Sequence, residues 1–340
     1  MEEIFDFLKH KMTIDEVTDT LSVTKVIGTL NPPIGRTISE VKEFFSGTEY
    51  TPLFDSENKK HVVRFGIFRK AEEKQKYWLN LLLFLATLLT TIFAGYLNSG
   101  NIISGMVFSF SIMAILTCHE LGHYFVSKKA GMITTLPYFI PVPFHFIGTF
   151  GAVIKMKSIV PSRGTLLRVG MSGPVAGFLV ALPITIIGIA LSEIQPAPEG
   201  ATYLKLGDSL LFYFLANIIH QNIPQGVDIF LHPMAFAGWL GFLVTSMNLI
   251  PIGQLDGGHV AYSLFLKKRK YIYGLLIIGL VALGFLWPGW FIWGVLAFFL
   301  ARRDPVVQDS LTPLSRNEKI AAVLPLIVLI LTFIPKPFAW

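Results

Sequence analysis

The sequence is poor in cysteine and in charged residues. Cys118 is the only cysteine among 340 residues, so an internal disulfide is excluded, and this thiol is predicted to be a small buried residue. Charged residues make up 15% of the chain and hydrophobic residues 53%, whereas soluble domains carry about 25% charged residues. The mean hydropathy is +0.60. The composition therefore excludes an ordinary soluble domain and predicts a polytopic α-helical membrane protein.

A cleavable signal peptide is not visible either. The amino-terminal MEEIFDFLKHK is acidic and amphipathic, and the first long apolar run begins only after about 78 residues. Residues 1–78 are predicted to form a small soluble α+β module. Within it, 38–47 has a helical pattern that ends in glycine, and the runs around 55–60 are typical of a hairpin. Residues 79–340 are predicted to form the transmembrane domain.

Long apolar runs follow the module. A bilayer core about 30 Å thick requires roughly 17–25 residues of helix. Runs of this kind occupy 79–97, 102–128, 168–192, 233–251, 271–287 and 319–335. A shorter run at 289–301 is joined to its predecessor by a turn at 287–290, so six or seven spans are predicted.

Basic residues are missing from every second loop. The loop at 98–101 carries no charge, and 193–231 has four acidic residues against one lysine. The basic clusters lie at 64–76, 128–168, 267–270 and 302–303. With alternating spans all of these clusters fall on one side of the membrane, which predicts a cytoplasmic amino terminus. The net charge of +6 thus orients the chain and does not indicate binding to nucleic acid.

A metal-binding motif lies within the second apolar run. The sequence His-Glu-x-x-His begins at His119, and two histidines four residues apart project from the same side of a helix, where both can bind one zinc ion. Glu120 lies beside them and is predicted to be the general base that takes a proton from a zinc-bound water.

The second acidic residue at membrane depth is Asp256. A carboxylate inside a bilayer costs at least about 2.5 kcal/mol, so it is expected only where it is paired, metal-bound or facing water. Pro251 and Gly253 break the helix before it, and an unwound segment of this kind presents side chains to a cavity. Asp256 is therefore the natural third metal ligand, although a carboxylate that merely caps a broken helix is the simpler alternative.

Residues 134–158 are predicted to form extended chain. Prolines at 137, 141 and 143 prevent a regular helix, and aromatic and β-branched residues alternate along this stretch. Non-helical backbone at membrane depth must be covered by protein or line a wet cavity. We therefore predict a short membrane-embedded β-hairpin-like loop beside a hydrated site.

Four motifs in this order carry a family resemblance. They are HELGH at 119–123, GTFGA at 148–152, SGP at 172–174 and NLIPIGQLDGG at 248–258. Together they resemble the site-2 protease family of intramembrane zinc metalloproteases, and most of all its bacterial and plant-plastid branch with a soluble amino-terminal extension.

The resemblance implies a role for each matching residue. His119, His123 and Asp256 would bind one Zn²⁺ per chain, with Glu120 as the catalytic base. Asn248 would stabilise the oxyanion or bind substrate backbone. Substrate would lie beside a strand formed by Gly148, Thr149, Phe150 and Gly151, paired by β-augmentation. The catalytic core would span about 102–266.

The glycines at 170, 173 and 177 are interpreted as ordinary close packing between membrane helices. Such packing would also hold the third span against the catalytic helix.

The sequence therefore predicts an enzyme that cleaves peptide bonds within or near transmembrane segments of other membrane proteins, in regulated intramembrane proteolysis. Its partners would be transmembrane substrates and the lipid bilayer. The predicted location is a prokaryotic plasma membrane, with the active site toward the cytoplasm. A transporter of divalent metal or a catalytically inactive membrane scaffold are the alternatives. A transporter would need several ligand sets along a path, and a scaffold should lack a ligand or the base.

Overall fold

The computed structural model describes residues 2–20, 23–67, 75–196, 205–221, 227–302 and 304–339. The described residues form a mostly helical molecule with small sheets. Its first elements are α1 (Glu2–Lys11), β1 (Met12–Asp19), β2 (Val23–Leu30), α2 (Ile34–Ser46), β3 (Thr51–Glu57) and β4 (Lys60–Gly66).

These first elements form a four-stranded antiparallel sheet in the order β1-β2-β4-β3, with α1 and α2 packed on one face. The predicted helix is present, starts earlier than expected and ends at the Gly47 cap. Asn58 and Lys59 both have positive φ angles, as a two-residue hairpin turn between β3 and β4 requires. Phe45, Phe54 and Phe65 are buried in the core of this module.

Three long helices follow: α3 (Tyr77–Ser99), α4 (Ile102–Lys129) and α5 (Arg163–Ala190). Within the described part of the chain, these are the helices long and apolar enough to cross a membrane. They coincide with the first three predicted spans. Cys118 on α4 is half-buried, so the prediction that this thiol is fully buried is wrong.

The later helices are shorter than predicted. They are α6 (Leu210–Ile219), α7 (Pro233–Leu249), α8 (Asp256–Phe265), α9 (Arg269–Leu283), α10 (Gly289–Leu300), α11 (Arg316–Ala321) and α12 (Val323–Thr332). Proline at 251, 288 and 335 follows or separates these helices, because proline cannot continue a helical hydrogen-bond pattern. The predicted number of six or seven spans is therefore not confirmed by the helices of the structure.

The segment predicted to be extended forms a β-hairpin. β5 (Tyr138–Pro141) pairs in antiparallel fashion with β6 (Thr149–Val153). Side chains of α3 satisfy hairpin carbonyls: Asn80 donates to Pro137 O at 2.8 Å and Thr90 donates to Gly148 O at 2.7 Å. Polar residues of a long apolar helix thus supply the hydrogen bonds that non-helical backbone needs at membrane depth.

The remaining strands are short. They are β7 (Glu193–Pro196), β8 (Lys205–Leu206), β9 (Val227–Phe230) and β10 (Phe338–Ala339), with β7 paired to β9 and β8 to β10. β7 follows α5 and β9 precedes α7, so this pair lies at the helix ends away from α8. β8 precedes α6, and β10 follows α12. At the break before α8, a side chain on Gly257 would lie 2.0 Å from Leu249 O, so the backbone there can fold back only with glycine.

Residues 306–312, called the bridging segment, join the amino-terminal module to the membrane helices. The Phe54 N–H of β3 donates to Gln308 O at 2.7 Å, and the Ser310 N–H donates to Phe54 O at 3.1 Å. On its other side, the Gln308 N–H donates to Val160 O at 2.8 Å. The bridging segment therefore lies between the edge strand of the module and the loop that connects β6 to α5.

Asp309 organises this junction. Its carboxylate is 5% exposed and accepts hydrogen bonds from the Leu311 and Thr312 N–H groups, both at 3.0 Å. Lys42 of the module lies 3.9 Å from the same carboxylate and donates to Pro161 O at 3.3 Å. Burial lowers the pKa of Lys42 below its usual value, and the Asp309 charge partly offsets this effect.

Replacing Asp309 with alanine is expected to loosen the module from the membrane domain. The change removes the acceptor of two partly buried N–H groups, which costs at most about 1–3 kcal/mol. Hydrogen exchange in detergent should become faster in β3 and in 158–163, and the midpoint of thermal unfolding should fall. Asp6→Ala is the matched control, because the Asp6–Lys9 pair is highly exposed and contributes little. Equal behaviour of the two variants would contradict the role of Asp309.

Candidate metal centre

Helix α4 carries three of the predicted site residues in one turn. His119, Glu120 and His123 are 5%, 8% and 6% exposed, although the helix is otherwise apolar. The two histidines are four residues apart and their rings lie 5.0 Å apart, centroid to centroid. The helical spacing therefore presents both imidazoles to one point, as the sequence pattern predicts.

Asp256 completes a triangle of donor atoms with these histidines. It is the first residue of α8, and its Oδ2 lies 3.2 Å from His119 Nε2 and 3.2 Å from His123 Nε2. The two Nε2 atoms are 3.3 Å apart. Among the described residues, this is the group of histidine, cysteine and carboxylate side chains that is close enough to hold a metal ion.

The geometry of the triangle fits zinc. Zinc binds histidine nitrogen and carboxylate oxygen at about 2.0–2.1 Å in tetrahedral sites, which places the ligand atoms about 3.3 Å from one another. The three donor atoms of this site have that spacing. Two imidazoles and one carboxylate also leave one tetrahedral position open, as a catalytic rather than a structural site requires.

The tautomer of His123 is set by its second ring nitrogen. His123 Nδ1 lies 2.8 Å from the backbone carbonyl oxygen of Val169 on α5. A carbonyl can only accept a hydrogen bond, so Nδ1 carries the proton and the Nε2 lone pair points into the triangle. Partners of this kind orient histidine ligands in metal sites.

Glu120 lies beside the triangle and is not one of its corners. The backbone of Ile154, directly after β6, interacts with the Glu120 carboxyl group. This carboxylate is thus buried one residue after His119 and beside the predicted substrate strand. Its placement suits a general base, which must lie within hydrogen-bonding reach of the water that it deprotonates.

Three glycines of α5 lie directly against the residues of the centre. A side-chain carbon added to Gly173 would lie 2.0 Å from His123 Nε2, and one added to Gly177 would lie 3.1 Å from His119 Nδ1. One added to Gly170 would lie 3.0 Å from Asp256 O. These glycines were interpreted as helix packing that would also hold α5 against α4, and the structure adds that they lie directly against the side chains of His119 and His123. Their spacing of three and four residues, on the helix after the motif, was the available signal.

The other predicted site residues lie beside the centre. Asn248 is half-buried near the end of α7 and lines a cavity together with Thr149, Phe150 and Gly151. Gly148 lies outside β6 and packs closely against the backbone of α3 at Thr90. The structure thus brings Asn248 and three of the four predicted strand residues together, and places Gly148 in a structural contact.

The fold and the site define a protein of long apolar helices with a buried cluster of two histidines and one aspartate that could hold a metal ion. The sequence model of peptidase family M50 matches residues 107–284, slightly more than half of the chain. The chain belongs to peptidase family M50, which is the family of the site-2 proteases that the motifs indicated.

Curated relatives agree with this assignment. "Probable zinc metalloprotease EGY2, chloroplastic" of Arabidopsis thaliana is 33% identical over 236 residues, which cover 66% of this chain and 41% of that protein. "Probable zinc metalloprotease EGY1, chloroplastic" of the same plant is 30% identical over 239 residues, covering 67% and 42%. The chain spans about two fifths of the length of these relatives. No solved structure matches the chain.

The relatives do not support one part of the predicted location. Their names place them in chloroplasts, whereas the predicted location was a prokaryotic plasma membrane. Family membership and the apolar helices α3, α4 and α5 support an association with a membrane and leave the kind of membrane open.

Gly173→Ala is expected to abolish metal binding. The added methyl group would occupy the position of His123 Nε2, so the imidazole must rotate out of the triangle. Zinc per chain, measured by plasma mass spectrometry on purified protein, should fall from about one to near zero. Gly274→Ala in α9 is the matched control, because a side-chain carbon there meets open space. Full zinc content in Gly173→Ala would show that α5 does not shape the centre.

Proposed function

We propose that this protein is an intramembrane zinc metalloendopeptidase that hydrolyses peptide bonds within or near transmembrane segments of other proteins. The observation that carries the proposal is the near-equilateral triangle of donor atoms formed by His119 and His123 of the long apolar helix α4 and Asp256 of α8, with Glu120 on the same turn of α4. Family membership supports it independently.

His119, His123 and Asp256 would hold one zinc ion per chain. When bound, zinc would polarise the scissile carbonyl group and make a water molecule acidic enough to attack it at neutral pH. The names of the curated relatives, which include zinc, are consistent with this metal.

Residues of the chain would carry out the remaining steps of the hydrolysis. Glu120 takes a proton from the attacking water and returns it to the leaving amine, which requires one carboxylate within reach of both atoms. The Asn248 side chain donates a hydrogen bond to the oxygen of the scissile carbonyl as negative charge develops there. β6 holds the substrate backbone extended, because a peptide bond in an intact helix is covered by neighbouring turns.

The position of the centre suggests how water reaches it. Leu121 lies about 10 Å along α4 from the basic residues Lys128 and Lys129, at a rise of 1.5 Å per residue. We place this basic end, the module of residues 1–78 and the loop before α5 on the cytoplasmic side. Water then enters along the break before Asp256, and the shorter helices α7, α9, α10 and α12 complete a bundle of six or seven spans.

Glu120→Gln and Asp256→Ala separate the enzyme from its alternatives. Glu120→Gln should keep about one zinc per chain and lose cleavage of a model transmembrane peptide by a factor of about 10²–10⁴. Asp256→Ala should lose both zinc and cleavage. Glu43→Gln, at an exposed position of α2, is the matched control.

The same variants, reconstituted in vesicles, test the two alternative functions, a metal transporter and an inactive scaffold. Zinc uptake that persists in Glu120→Gln, together with no cleavage by the wild-type protein, would identify a transporter. Zinc binding with neither uptake nor cleavage would identify an inactive scaffold.

The proposed orientation is testable with single cysteines in a Cys118→Ala background. Ser99 is the last residue of α3, next to the uncharged loop between α3 and α4, and Ser46 lies in the amino-terminal module; both are exposed. In intact cells, a membrane-impermeant maleimide should label Ser99→Cys and should reach Ser46→Cys only after permeabilisation. The reverse labelling pattern would invert the proposed topology.

A further inference from the structure

A cavity of about 400 Å³ lies between the β5–β6 hairpin, α4, α7 and the α9–α10 turn. We call it the hairpin cavity. Its lining includes Thr149, Phe150, Leu243, Met247, Trp287 and Trp293. Its size falls in the range of ligand-binding pockets.

The hairpin cavity adjoins the metal centre on one side. Leu116 of its wall lies one helical turn, about 4.5 Å, before His119. β6 runs from the cavity at Thr149 to Val153, and the backbone of the next residue, Ile154, interacts with Glu120. The cavity therefore continues the site toward the amino-terminal end of α4, along the same strand that leads to the catalytic base.

The edge of β6 that faces away from β5 has room for another chain. Within the described residues, β6 pairs only with β5, so its second edge has no strand neighbour. Gly151 has a φ angle of +91°, and a side-chain carbon there would meet open space. An extended peptide can therefore approach the backbone of β6 closely at this residue.

The chemistry of the cavity is apolar and aromatic. None of the described residues that line it is aspartate, glutamate, lysine or arginine. Of its polar residues, Thr149 already donates its hydroxyl to Ile140 O at 2.9 Å. A charged side chain placed here would lose its hydration without gaining a partner, whereas an aliphatic or aromatic side chain would pack against indole and phenyl rings.

We infer that the hairpin cavity is a specificity subsite that receives bulky apolar side chains of the substrate strand, on the side of the scissile bond nearest the amino-terminal end of α4. Leu243, Met247, Trp287 and Trp293 select leucine, phenylalanine or methionine over alanine and serine, and reject charged residues. This inference rests on the proposed function, and it names the substrate class of that site.

The test measures binding to the full-length, zinc-loaded Glu120→Gln protein in nanodiscs. The probe is a fluorescent transmembrane peptide in which each of five residues on either side of the cleavage site is changed in turn to alanine. Replacing leucine or phenylalanine at one to three consecutive positions, on one side only, should weaken binding about 10–200-fold, as expected for methylene groups lost from an apolar pocket.

A second experiment uses a variant whose larger side chain fills part of the hairpin cavity. Leu243→Trp should reverse the preference at these positions, so that the alanine peptide binds more tightly than the leucine peptide. Leu179→Trp is the matched control, because Leu179 is 62% exposed on α5 and lies outside the cavity. It should leave the preference unchanged.

Two outcomes overturn the inference. An alanine scan in which no position affects binding contradicts it. A positional preference that Leu243→Trp does not alter also contradicts it, and this second result is expected if lipid chains occupy the cavity. A wild-type protein that cleaves none of these peptides, while the positional preference in binding persists, would instead overturn the proposed function and leave the subsite in place.

Discussion

The burial of two imidazoles and two carboxylates among apolar helices is the constraint on which the rest of the structure depends. An unpaired charge at this depth is costly, so each group must find a partner. Asp256 lies 3.2 Å from both imidazoles, His123 donates to Val169 O, and Glu120 contacts the backbone of Ile154. These partners come from α5, α8 and the end of the hairpin, so the centre exists only when all of them are assembled around α4.

Helix α5 makes that assembly compact. It packs against α4, α7 and α8, and its glycines let the imidazole rings and the first turn of α8 approach its backbone. Side chains at these positions would push α4 and α8 apart by the width of a methyl group, which is enough to separate ligands that must lie about 3.3 Å from one another. The break at Pro251 and Gly253 serves the same end, because a continuous helix after α7 would carry Asp256 past the histidines.

The local sequence pattern was sufficient to predict those parts of the structure that lie within one helix or one strand. The spacing of His119 and His123, the Gly47 helix end and the extended chain around the prolines at 137–143 all follow from short-range rules and are present. Long-range features were not predictable in the same way. The contact of Gly173 with His123 depends on how α4 and α5 cross, and the bridging segment adds to the edge of β3 through backbone groups that any sequence supplies. Helix lengths after residue 233 also differed, since apolar composition marks burial and does not show where a helix stops.

Buried polar groups must also find partners in the β5–β6 hairpin, and this requirement gives the reason for a strand at this place. β5 satisfies one edge of β6, and Asn80, Thr90 and Asn98 of α3 satisfy carbonyls around the hairpin. Within the described residues, the second edge of β6 has no strand partner. A substrate helix that unwinds inside a membrane loses its own hydrogen bonds, which is prohibitive unless others replace them. In the proposed function, pairing of a substrate with β6 would offset that loss for both chains, so the proposed hydrolysis would depend on this strand edge as well as on the metal.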